Sequence, residues 1–310
     1  MALPEDGRTT YACGCATLRC FVDLLPAAFR LLPVTNDARS CLFFRWWRCA
    51  NIPVEMKLSI IIPAYNEAKR IESCLQHLSA ALRHCGHALA TPSAVGGGER
   101  SDLEWEIIVV DNNSTDTTAE FARQNGARVV FEPLNQIARA RNAGAAAATG
   151  DWLLFVDADT LVSGDTLAEM LSAIDTEKYI GGGAVLCYDR TPPFWKFFLV
   201  VSNRIVIPLL RWTAGCFMFC RADAFREFGG FDQKLFAGED VEFGKAMQRW
   251  GKQRGLEVAI LRRHPPVTSI RKIDLYGTRE IFVLILRWIL FPRRTGRDKA
   301  RLGVFYDGRR

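Results

Sequence analysis

Two aspartates one residue apart, Asp157 and Asp159, close the stretch Asp151-Trp152-Leu153-Leu154-Phe155-Val156-Asp157-Ala158-Asp159. Residues 153–156 form a short continuous apolar run, which suits a strand buried on both faces of a parallel sheet. In open α/β sheets ligands sit beyond the carboxyl ends of the strands, so both carboxylates are delivered to such a place. Paired hard oxygen donors there suit Mg²⁺ or Mn²⁺ carrying a phosphate ester. A solvated turn, where aspartate is common anyway, is the bland alternative. Polar clusters recur in equivalent positions: Asn66-Glu67 after a strand at 58–62, and Asp111 after a strand at 105–110. Three clusters at the ends of adjacent strands would converge on one cleft. Farther along, Glu239, Asp240 and Glu242 follow Gly238 and open a helix running to about residue 250, where the helix dipole favours acid in any case.

The elements that must position these groups alternate. After the strand at 58–62, ended by Pro63, a helix is expected over 68–82, with Ile71, Leu75, Leu78 and Leu82 at helical spacing. Residues 86–102 contain Pro92 and Gly96-Gly97-Gly98 and read as a long loop. After the strand at 105–110, Ser114 or Thr115 is the expected cap of a helix through Arg123. A third strand at 129–131, an Ala-rich helix at 137–148, the strand at 153–156 and a helix at 165–174 follow. Next come Gly181-Gly182-Gly183, expected to precede another strand, and a further strand within 213–219. Alternating β and α with short turns predicts an α/β domain with a mainly parallel central sheet and helices on both faces.

The composition is that of a globular protein: 49% hydrophobic and 24% charged residues over 310 positions. The net charge of +6 is concentrated from Arg287 onward, where eight arginines and lysines face only Asp298 and Asp307. That asymmetry points to an anionic partner or to a solvated basic tail. None of the ten cysteines has CxxC spacing, so reduced thiols in a cytoplasmic protein are the simplest expectation. The acidic start does not resemble a signal peptide, and no run of about 18 apolar residues marks a spanning helix. Residues 1–55 lack sustained periodicity and read as an extension preceding a domain at 56–272. Residues 273–310 read as an apolar helix and basic tail. Two broken apolar stretches, 194–212 and 281–291, carry nearby basic residues and suit a peripheral membrane contact or burial in the protein.

With these residues in view, the chain resembles the family 2 glycosyltransferases, which have the GT-A fold, a Rossmann-like nucleotide-diphospho-sugar transferase domain. The resemblance covers about residues 56–272. It rests on Pro63-Ala64-Tyr65-Asn66-Glu67, Val110-Asp111-Asn112-Asn113-Ser114-Thr115-Asp116, Ala140-Arg141-Asn142-Ala143-Gly144, Asp157-Ala158-Asp159, Gly229-Gly230-Phe231-Asp232 and Gly238-Glu239-Asp240-Val241-Glu242, in the family's order. One departure is Asn112-Asn113, where many members have Asp-Gly.

The resemblance implies Ala64, Tyr65 and Glu67 in the nucleotide pocket, Asp111 on the base, and Arg141 near the nucleotide or its diphosphate. It implies Asp157 at the ribose or the metal's water shell, Asp159 on Mn²⁺ or Mg²⁺, and Asp240 as general base. His264 resembles a histidine that completes the metal shell in some related enzymes; an ordinary surface histidine is the alternative. Residues 268–272 either close over the diphosphate or form a solvated basic loop. The implied reaction moves a sugar from a nucleotide-diphosphate sugar to an acceptor hydroxyl with inversion. The acceptor is expected to be lipid-linked or membrane-proximal, and no nucleic-acid partner is expected. Competing readings are a non-catalytic sugar-nucleotide or lipid-binding protein, and a nucleotidyltransferase. The latter resembles this chain less, because no Gly-rich phosphate loop follows the first strand.

Overall fold

A computed structural model describes residues 56–89, 103–290 and 296–302, so the N-terminal extension lies outside the described residues. β1 (Lys57–Ala64) leads into α1 (Ile71–Leu89), which extends past the expected end into the start of the predicted loop. β2 (Glu104–Asp111), α2 (Thr118–Gln124), β3 (Arg128–Phe131) and α3 (Ile137–Ala147) follow. Then come β4 (Trp152–Val156), the short β5 (Thr160–Leu161), α4 (Gly164–Asp175), β6 (Tyr179–Ala184) and the short β7 (Cys187–Tyr188). A helical arm comprises α5 (Pro193–Val201), a π-helical turn (Ser202–Val206) and α6 (Ile207–Leu210). The chain continues through β8 (Phe217–Arg221), α7 (Ala222–Phe228), α8 (Glu239–Gln253), β9 (Glu257–Leu261), β10 (Val267–Thr268) and α9 (Arg271–Leu290). Among the described residues no helix is long and apolar enough to cross a membrane.

Seven strands form one sheet in the order β3-β2-β1-β4-β8-β6-β9. All are parallel except β8, which runs antiparallel to both β4 and β6. A small second sheet joins β5, β10 and β7. The period-2 alternation of strand side chains divides the core into two layers. Leu58, Ile60, Ile62, Leu154, Val156, Phe217 and Phe219 pack under α1 and α4. Ile61, Leu153, Phe155, Met218 and Cys220 pack against α3, α7 and α8.

Two local expectations are corrected. Gly181-Gly182-Gly183 lies within β6 rather than before a strand, because a Cβ at Gly181 or Gly182 would come within 2.3 Å of a neighbouring strand's carbonyl oxygen. The cap position of α2 is Thr117, not Ser114 or Thr115. Those two residues instead tie the β1 and β2 loops together: Asn66 donates its N–H to Ser114 Oγ at 3.0 Å and accepts from Thr115 N–H at 2.8 Å.

Candidate active site

The ends of β1, β2 and β4 lie side by side, and a cleft of about 660 Å³ opens beyond them. Pro63, Ala64, Tyr65 and Glu67 enter it from β1, Asn112 from β2, and Asp157 and Asp159 from β4. Arg141 from α3 and Glu239 and Asp240 from the first turn of α8 close its floor. The loop ahead of β8 adds Thr213 to Cys216, and the segment from Thr268 to Arg271 forms another wall.

Asp111 is buried at the end of β2, where its Oδ1 accepts from Ser114 N–H at 2.9 Å. Its neighbour Asn112 lines the cleft and also locks the loops. Asn112 Oδ1 accepts from Gln136 N–H at 2.8 Å, and Nδ2 donates to the carbonyls of Glu132 and Leu134 at 3.2 and 2.6 Å. Asn113 has φ of 67°, a left-handed conformation that asparagine tolerates better than most residues. Asn112-Asn113 therefore retains a workable turn where many family members have Asp-Gly.

Arg141 is fully buried and is the hub of the floor. Its Nη1 donates to Glu239 Oε1 at 2.8 Å, and its Nη2 donates to Asp157 Oδ1 at 3.0 Å and to the Gly215 carbonyl at 2.9 Å. The guanidinium also lies 5.2 Å from the Phe231 ring centre. Burial, and then the negative charge of Asp240, push the Glu239 carboxyl up to about 7, against the opposing pull of Arg141. Asp240 is held from three sides. Its Oδ2 accepts from Gly215 N–H at 3.0 Å, its Oδ1 from Val241 N–H at 2.8 Å, and its carbonyl from Thr213 Oγ1 at 3.1 Å.

Arg271 is the site residue that sequence reasoning left as one of two readings of a basic segment. It is buried, makes a two-pronged contact with Glu67, and places Nη2 3.3 Å from Asp159 Oδ2. The signal in the sequence was only the basic pair Arg271-Lys272 at the end of a short polar segment; the pairing with Glu67 spans 204 residues. Glu239 and Gly215 were likewise absent from the expected site residues, Glu239 because helix-dipole acidity accounts for it equally well.

His264 is not brought to the cleft. Glu169 of α4 collects the backbone N–H groups of Arg262, Arg263 and His264, which draws this segment along α4. The imidazole is exposed, with Nδ1 4.0 Å from Asp165 Oδ2. Among the described residues no three His, Cys, Asp or Glu side chains gather as a metal cage. Two carboxylates at the end of β4 nonetheless fit a hard cation that takes its remaining ligands from substrate phosphates and water.

The cleft also has an apolar side. Leu186, Trp195, Phe198, Leu199, Ile207 and Trp212 face it from the arm and its approaches, and Ile281 and Leu284 face it from α9. Asn203 in the π-helical turn clasps the backbone of Leu186, accepting its N–H at 2.9 Å and donating to its carbonyl at 2.6 Å. An extra residue in a helical turn, often found at functional sites, is thus fixed to the wall. The outer faces of the same helices expose Phe197, Ile205, Leu209, Phe282 and Leu286.

Similarity to known proteins converges on one family. The family model described as glycosyl transferase family 2 matches residues 59–228, more than half of the chain. Glycosyltransferase AglE of Haloferax volcanii is 26% identical over 285 residues, covering 79% of this chain and 86% of its own length. Dolichyl-phosphate beta-glucosyltransferase ALG5C of Trichomonas vaginalis is 30% identical over 144 residues, 44% of this chain; the match spans only 40% of that relative. Among solved structures, mannosyltransferase PcManGT from Pyrobaculum calidifontis, in complex with GDP-Man and Mn²⁺, superposes with a TM-score of 0.54. That match is 19% identical and covers 86% of this chain and 75% of that one. Both the matched segment and the parallel sheet with its single reversed strand agree with what the six motifs implied: the chain belongs to glycosyl transferase family 2 and is a glycosyltransferase of the GT-A fold.

Proposed function

We propose that the protein transfers a sugar from a nucleotide-diphosphate sugar to the hydroxyl of a lipid-linked acceptor at a membrane surface, with inversion. The observation that carries this reading is the two-sided cleft. A floor of carboxylates and arginine meets an apolar wall from two helices that also expose apolar side chains outward. The name of the dolichyl-phosphate beta-glucosyltransferase relative is in keeping with such an acceptor.

Ala64, Tyr65, Glu67 and Asp111 would hold the nucleoside, with Arg141 and Asp157 beneath the diphosphate. Asp159, with Asp157 beside it, would hold Mn²⁺ or Mg²⁺, which when bound offsets charge developing on the diphosphate. Asp240 takes the proton of the acceptor hydroxyl as its oxygen forms the new bond to the anomeric carbon. The bond from that carbon to the phosphate oxygen breaks, and its electron pair leaves with the nucleoside diphosphate. A base on the face opposite the leaving group gives one displacement and hence inversion. Exposed Lys196, Arg204 and Arg279 beside the outward apolar face suit acidic headgroups.

Two substitutions separate the roles. Asp159→Ala is expected to lose metal-dependent nucleotide binding in titration calorimetry. Asp240→Asn is expected to keep it while turnover falls by about 10²-fold or more, the usual scale for a positioned base. Equal loss of binding in both variants would contradict the assignment. A non-catalytic binder would show no donor turnover for Asp240→Asn to remove.

A further inference from the structure

The stretch from Thr213 to Cys216 touches both chemical ends of the cleft. On the β4 side, the Cys216 carbonyl accepts from Asp157 N–H at 3.2 Å. On the α8 side, Gly215 N–H donates to Asp240 Oδ2 at 3.0 Å, and Thr213 Oγ1 donates to the Asp240 carbonyl at 3.1 Å. The Gly215 carbonyl is gripped by Arg141, which also holds Asp157 and Glu239. We infer that Gly215, locked in place by Arg141, and Thr213 beside it are positioning residues that set the carboxylate of Asp240 at a fixed distance from the donor side. This rests on the reading of Asp240 as the general base and names what aims it.

The need for glycine at 215 is one of space. A Cβ there would lie 3.0 Å from Arg141 Nη2, 3.1 Å from Asp240 Oδ2 and 3.5 Å from Asp240 Cβ. Gly215 is not among the residues with positive φ, so alanine meets these side chains without backbone strain of that kind. A methyl group at 215 thus presses on the base and on the arginine together. The carboxylate is fixed by one backbone N–H on each oxygen, Gly215 on Oδ2 and Val241 on Oδ1. Of these two contacts, the one from Gly215 comes from outside the helix that carries Asp240. It therefore ties the orientation of the base to the sheet rather than to α8 alone.

The test is a double-mutant cycle in the full chain, using Gly215→Ala, Asp240→Asn and the pair. Transfer kinetics, nucleoside-diphosphate affinity by calorimetry and Tm are measured for each. Gly215→Ala is expected to lower kcat by about 10- to 100-fold, the scale of a small misplacement of a reacting group. KM for the donor and nucleotide affinity should change by much less than kcat, a small change being expected because the methyl also presses on Arg141, which holds Asp157. Added to Asp240→Asn, the same substitution should cost far less than it does alone, because the group it aims is gone. Losses that multiply in the double variant, or wild-type turnover in Gly215→Ala, would overturn the inference. Wild-type turnover in Asp240→Asn would overturn the base assignment itself, a distinct failure. Should Gly215→Ala not fold, Thr213→Val carries the same cycle, since it removes the hydroxyl on the Asp240 carbonyl at nearly constant volume.

Discussion

Arg141 is one cation set among Asp157, Glu239 and Asp240, so the buried floor holds more acid than base. Burial, reinforced by this excess, raises the Glu239 carboxyl to about 7, above its ordinary value of 4.5. The native state therefore keeps a proton that the unfolded chain gives up first. Its contribution is fully present below the unfolded value and is lost as pH rises through the folded one. Chemical denaturation of the wild type should show stability falling more steeply from about pH 5 to 7 than in Glu239→Gln, where the group no longer titrates. Parallel curves for the two proteins would refute this. Arg271 offers a second test at this scale. Its fork bridges Glu67 and reaches Asp159, and a lysine cannot reproduce a two-pronged contact. Arg271→Ala should weaken nucleoside-diphosphate binding by roughly 10-fold or more, the worth of a hydrogen bond to a charged group. Arg271→Lys should recover little of that affinity, and full recovery would show that charge alone suffices.

At the scale of elements, the arm of α5, the π-helical turn and α6 has two faces with separate consequences. Trp195 and Ile207 are buried toward the cleft, whereas Phe197 and Leu209 are 69% and 76% exposed. Exposed apolar side chains are ordinary singly, but here several lie together with basic residues beside the mouth of the cleft. α9 adds Phe282, Val283 and Leu286 beyond its non-helical residue, Gly277. Phe197→Glu with Leu209→Glu should leave Tm nearly unchanged, since surface substitutions cost little. The same pair should abolish sedimentation with vesicles containing acidic lipid at low salt. Sedimentation equal to wild type would remove the arm from the proposed membrane contact. Loss of wild-type binding on raising salt would show the charge term, which is screened.

At the scale of the whole molecule, the described residues of the two core layers and of the cleft all follow Glu55. Among the described residues both hydrophobic clusters begin within or immediately before β1, at Met56 and Ile61. A chain starting at Met56 should therefore fold and bind nucleotide as the full chain does. Its thiols provide a simple check on the core. Burial pushes Cys74 up to about 12 and Cys85 up to about 11, and raises Cys216 and Cys220 as well. These four should resist alkylation at neutral pH, leaving half-buried Cys187 as the site that labels. Rapid labelling of all five, or an insoluble product, would show that this part does not fold alone.

The alternation of apolar runs with turns determined the parallel α/β sheet, because each strand's burial is written in its own few residues. The acids at the strand ends were legible for the same reason: a strand delivers its last residue to a known edge. What lies far apart in the chain was not legible. Asn112 as a loop lock, Arg141 as a hub, Arg271 on Glu67 and Gly215 beneath Asp240 depend on contacts across 22, 98, 204 and 25 positions. His264 illustrates the converse. Its residue type suits a metal, but Glu169 binds the backbone around it and draws it along α4. Local sequence sets which chemistry is available near each strand end. The tertiary packing alone decided which groups meet, because side-chain partnership is settled by hydrogen bonds and burial between elements that no short-range pattern encodes.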